Sequence, residues 1–133
     1  MPTQASATLS LQYTPPSAPA NSGNAVFQLT ASFNAQNVGQ IDVNPTDLPA
    51  AVFPIAFGSV AKAKMLVIKN LTANDIAIRL NGAVADTFVL SPQGEFAYVC
   101  QTAPLTTPIT SASAVLTAAS LAVEAIQYWV FGD

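Results

Sequence analysis

The chain has 133 residues, 51% hydrophobic and only 8% charged, with four basic residues against seven acidic ones and no histidine. An ordinary soluble domain carries about 25% charged residues, so the solvated faces here must be built from Ser, Thr, Asn, Gln and Ala, a surface weakly protected against association. The net charge of −3, with no basic cluster beyond Lys62 and Lys64, excludes the positive stripe that phosphate neutralisation requires, and no nucleic-acid partner is expected.

The length is that of one domain, enough to bury roughly two-thirds of the unfolded surface in a single core. No run of about 20 apolar residues occurs. The longest candidate, 112–131, is interrupted by Ser, Thr, Glu124 and Gln127, so no membrane partner is expected. The first residues show neither the basic nor the apolar part of a secretory signal, and Cys100 is the only cysteine, so cytoplasmic synthesis is expected.

Residues 3–14 alternate, with Leu9, Leu11 and Tyr13 on one side and Thr8, Ser10 and Gln12 on the other, the pattern of a half-buried strand. Residues 14–24 (TPPSAPANSGN) form a loop rich in proline, and with the first strand they make an arm over 1–24 ahead of a β-sandwich over 25–133. Residues 25–34 give a second strand, expected to point Phe27, Leu29 and Phe33 into the core. A short strand fits Val38–Val43 before the NPTDLP turn. Residues 51–60 suit an edge strand, because Pro54 cannot donate to a ladder.

From Met65 to Val99 the alternation sharpens. Met65–Lys69 is a compact strand, NLTAND (70–75) has the Asn and Asp of a side-chain-stabilised turn, and Ile76, Ile78 and Leu80 share a face. Asn81-Gly82 is the strongest short hairpin signal, since a type I′ turn needs positive φ at both central residues. Phe88 and Leu90 resume the pattern, Ser91-Pro92-Gln93-Gly94 turns the chain, and Phe96 and Tyr98 continue it. The whole stretch is expected to be a meander. Residues 109–119 suit a strand or a helix, with two strands about a turn near 118–120 favoured. In the last strand Val123, Ala125, Trp129 and Phe131 alternate with Ile126, Tyr128 and Val130, so both faces are apolar, as in a central or interfacial strand. About seven or eight strands with Pro/Gly/Asn turns make an all-β, antiparallel β-sandwich or jelly roll.

Chemistry is scarce. The absence of histidine removes the commonest general base, the histidine triads and most transition-metal sites. Cys100, with nothing to activate it, is expected to be a small buried hydrophobe. Asp86 and Glu95 flank one hairpin and are the nearest thing to the two carboxylates of a glycosidase, but each also suits a solvated turn. The aspartates never take calcium-loop spacing, and Asn70-Leu71-Thr72, although a sequon, is read as turn chemistry. No catalytic residue, metal or cofactor is expected. Tyr98, Tyr128 and Trp129 are candidates for a sugar platform.

The positive signal is a distribution. Residues 1–41 and 96–123 contain no Asp, Glu, Lys or Arg. Segments held in subunit interfaces follow this rule, because unpaired charge is costly to desolvate there. The candidate interface is Leu9, Leu11, Tyr13, Ile126, Tyr128, Trp129, Val130 and Phe131.

The segments LVIKNLTANDIAIRLNG (66–82), FVLSPQGEF (88–96) and IQYWVFGD (126–133) resemble those of small structural β-sandwich proteins of tailed bacteriophages. The resemblance implies a non-enzymatic virion component made in the host cytoplasm, a capsid decoration (cement) or head–tail accessory protein. Its partners would be further copies of itself, with a trimer favoured, and a major capsid or other virion protein. The competing expectation is a carbohydrate- or receptor-binding module of a phage tail or head fibre.

Overall fold

A computed structural model describes residues 3–13, 23–99 and 108–133. Among these, ten strands are formed: β1 (Thr3–Tyr13), β2 (Gly23–Phe33), β3 (Ala35–Val43), β4 (Val52–Ile55), β5 (Ala63–Asn70), β6 (Ile76–Leu80), β7 (Phe88–Leu90), β8 (Glu95–Val99), β9 (Ala112–Leu116) and β10 (Glu124–Gly132). β1 and β2 pair only with each other, and the other eight make two four-stranded antiparallel sheets, β3-β10-β5-β8 and β4-β9-β6-β7.

The pairing is nested. β6 pairs with β7, β5 with β8, β4 with β9 and β3 with β10, so the chain from Ala35 to Gly132 is one long hairpin rolled up until its successive rungs fall alternately in two sheets. That is the jelly roll, the all-β sandwich expected from the sequence. The stretch 65–99 is therefore not a meander: β6 and β7 cross into the second sheet before β8 returns to lie beside β5. The turn at 81–82 is real but does not close a two-residue hairpin. Asn81 and Gly82 have φ of 55° and 70°, and the Ala83 N–H donates to the Leu80 carbonyl at 3.1 Å. The β6–β7 ladder, however, begins only at Ile78 opposite Phe88, and beyond it the Leu80 N–H donates to the Thr87 hydroxyl at 3.2 Å instead of to a strand partner.

Alternation supplies the core. Val43, Leu66, Ile68, Ile76, Ile78, Leu116, Ile126 and Val130 point inward and are all but inaccessible, mostly β-branched side chains that fit a pleated surface. Pro54 sits in β4 at the margin of its sheet, as its missing N–H demands. Gly39 faces Tyr128 across the β3–β10 ladder. A Cβ at 39 would fall 2.4 Å from the phenol oxygen, so the glycine makes the room in which the ring lies.

One end of the roll is closed by a buried polar knot. The Asn70 carboxamide, fully buried, donates to the carbonyls of Asn74, Leu90 and Ser91 at 2.8–3.1 Å and accepts from the Thr72 N–H and hydroxyl. Its backbone N–H and carbonyl bond to Gly94 and Gln93. The Asn-x-Thr element is turn chemistry, as read from sequence: its amide nitrogen is committed inside the fold.

The first hairpin is a separate ribbon of two eleven-residue strands, about 35 Å long at the usual rise per residue. β2 thus belongs to the ribbon and not to the sandwich, and the division falls at Asn34 instead of residue 24. The expected core positions Phe27 and Leu29 lie outside the described side chains, while Phe33 is buried at the ribbon's root against Phe131, with ring centroids 4.9 Å apart. Asn34 completes the joint. Its N–H donates to the Gly132 carbonyl and its side chain to the Asp133 carboxylate at 3.1 Å. That carboxylate also pairs with Lys64.

Candidate functional site

The register of the β3-β10-β5-β8 sheet sorts its outward side chains into three transverse rows. Gln40, Gln127, Lys69 and Glu95 form a polar row; Val38, Trp129, Val67 and Ala97 an apolar one; Gln36, Phe131, Met65 and Val99 the third. The third row is covered. Phe131 meets Phe33, β2 approaches β5, β8 and β10, and Met65 is only 3% exposed although the second four-stranded sheet lies on the other face. The middle row stays open, with Val38 52% exposed.

Between the polar and apolar rows lies a shallow depression of about 390 Å³ lined by Val67, Lys69, Glu95, Gln127 and Trp129. Lys69 and Glu95 are direct cross-strand partners at 2.8 Å and remain substantially solvated, so their pairing contributes only about 0–1 kcal/mol. Chemically this is a half-buried indole bordered by aliphatic side chains, with an ammonium, a carboxylate and an amide along one margin. It offers an apolar contact with a polar border, suited to an anchoring side chain of another protein or to the apolar face of a sugar ring.

The sequence-derived candidates divide. Trp129 and Phe131 face outward, the first open and the second under the ribbon root. Ile126, Tyr128 and Val130 face the interior at 1%, 7% and 0% exposure, where they pack against the second sheet and cannot present an interface. β10 is apolar on both faces because one is core and the other is the row just described. Leu9, Leu11 and Tyr13 lie on β1, their side chains outside the described residues. Tyr98 points inward with Phe96, so the three aromatics considered as a sugar platform are split across the sheet and Trp129 alone remains on its outer face. Val38 and Val67 were not singled out by sequence; the signal that finds them is register, which the sequence does not print.

The carboxylates do not converge. Asp86 accepts from Arg79 at 2.8 Å beside the second sheet, whereas Glu95 is held by Lys69 on the first. Asp47 caps the Asn44 N–H at 2.7 Å, and Asp42 accepts from Gln40. Among the described residues no three Cys, Asp or Glu side chains gather where they would hold a metal ion; Cys100 lies outside them. The Asp133 carboxyl is held below its ordinary value, first by the hydrogen bond from Lys64, with smaller contributions from the Lys64 charge and Asn34 that together outweigh desolvation.

No family model matches the chain, and no match was found among curated proteins or among solved structures.

Proposed function

We propose that the chain is a non-enzymatic structural subunit of a tailed-bacteriophage virion, a decoration or cement protein that binds a lattice of major capsid protein and adds contact area to it. The observation that carries the reading is the surface beside the ribbon: an open apolar row of Val38, Trp129 and Val67 next to a long hairpin with no charged residue in either strand. An apolar patch rimmed by polar groups suits protein contact, and a ribbon of this length gives the subunit reach onto a neighbour. Jelly rolls serve in viral capsid and lectin domains alike, so the choice between these is made on the surface and not on the fold. The test is co-sedimentation of the purified chain with heads assembled from the genome that encodes it. Saturable binding is expected, at a stoichiometry set by the lattice and weakened by Trp129→Lys; an absence of binding at any concentration refutes the reading.

A second reading, a carbohydrate-binding module, is favoured by the depression itself, where Trp129 lies beside Gln127 and the Lys69–Glu95 pair. A glycan array separates the two. A signal abolished by Trp129→Ala supports sugar recognition, and a blank array with intact head binding supports the structural role.

A further inference from the structure

The last strand of a sheet leaves backbone N–H and carbonyl groups unpaired along its outer side. Monomeric proteins blunt such edges with short strands, proline or charge. Four strands border the two sheets here. β7 has three residues, β4 has four and contains Pro54, and β8 has five and opens on the ion-paired Glu95. β3 is the least guarded: it runs nine residues, AQNVGQIDV, with no proline and a single charge, Asp42, next to its end. Among the described residues, no turn, loop or side-chain hydrogen bond reaches the backbone of 35–43 from outside its ladder with β10.

We infer that two copies of the chain pair through their β3 edges, antiparallel about a two-fold axis, joining two four-stranded sheets into one of eight strands. A second copy fits because this edge is complementary to itself. Outward side chains must meet outward side chains, which allows registers centred on residues 38, 39 and 40; the last sets apolar Val38 against Asp42, which leaves the first two. In these Val38 of one copy lies opposite Val38 or Gln40 of the other, and Asp42 lies opposite Asn34 or Gln36. No like charges meet in either. The exposed Val38, at 52%, is covered across the axis, and where Val38 meets Val38 the apolar rows of both copies run on into a single strip. Such a contact closes at two copies, where the resemblance to phage structural proteins implies a trimer. The inference deepens the assembly reading and rests on its subunit contacts, independently of any particle.

The experiment is sedimentation velocity of the full chain from about 1 to about 100 µM, the range in which a modest interface is resolved. A monomer–dimer equilibrium is expected. Val38→Lys with Gln40→Lys brings Lys against Lys in either register and should weaken dimerisation by about tenfold or more, whereas Val38→Thr leaves it within about threefold. Hydrogen exchange provides a readout independent of substitution: β3 amides should be slower in the concentrated sample than in the dilute one. A wild-type chain that stays monomeric, a trimer, a lysine variant that dimerises normally, or β3 exchange indifferent to concentration overturns the inference. A strictly monomeric chain that still binds heads overturns it alone; a β3 dimer that binds no head leaves it standing and removes the decoration reading.

Discussion

Phe33, the last residue of the ribbon, packs its ring 4.9 Å from that of Phe131 on β10, an inner strand of the first sheet. Through this contact a hairpin that would be marginal alone in water is anchored to a rigid core, beside the open apolar row and not at its far end. Phe33→Ala is expected to release the ribbon locally. Hydrogen exchange should rise by an order of magnitude or more over 23–33 while the amides of β5 and β10 keep their protection. A double-mutant cycle with Phe131→Ala should return a coupling of about 0.5–1.5 kcal/mol.

The same joint is sensitive to acid. The Asp133 carboxyl titrates below its unfolded value because Lys64 and Asn34 hold the charged form. Its contribution is therefore complete above the unfolded value and is lost as the pH falls through the folded one. Thermal midpoints of the wild type and Asp133→Asn should differ at neutral pH and converge as the pH drops from about 5 toward 2. Parallel curves over that window would show that the carboxylate contributes nothing to the joint.

At the opposite end, Asn70→Ala leaves the carbonyls of Leu90 and Ser91 and the Thr72 N–H without their buried partner. A loss of about 2–4 kcal/mol in urea unfolding is expected. Asn70→Asp should be no better, since a carboxylate there would face carbonyl oxygens.

Gly39→Ala tests the space beneath Tyr128. The added methyl meets the phenol ring and should cost about 1–3 kcal/mol as overpacking, with part of the loss recovered when Tyr128→Leu is combined with it. A neutral single substitution would mean that the ring moves aside freely.

Much of the fold was legible because its signals are local. The alternation at Ile76–Leu80, the positive-φ pair Asn81-Gly82 and Pro54 at a sheet margin each declare themselves within a few residues. The assignment of strands to sheets was not legible. β3 meets β10 and β5 meets β8 across long intervening sequence, and no local pattern distinguishes that nesting from a meander. For the same reason Ile126, Tyr128 and Val130 read as interface candidates beside Trp129: period two separates the faces of β10 without saying which is interior. Phe33 looked like sandwich core because its strand alternates like the others, and its partner in β1 became visible only through the ladder.

Trp129 is the only tryptophan in the chain, so its fluorescence reports directly on the surface to which the structural role is assigned. Titrating the protein with heads assembled from the encoding genome should shift the emission maximum to the blue and protect the indole from acrylamide quenching, saturating with the bound mass. Binding that leaves emission and quenching unchanged would contradict the account, because the apolar row would then still face water in the complex.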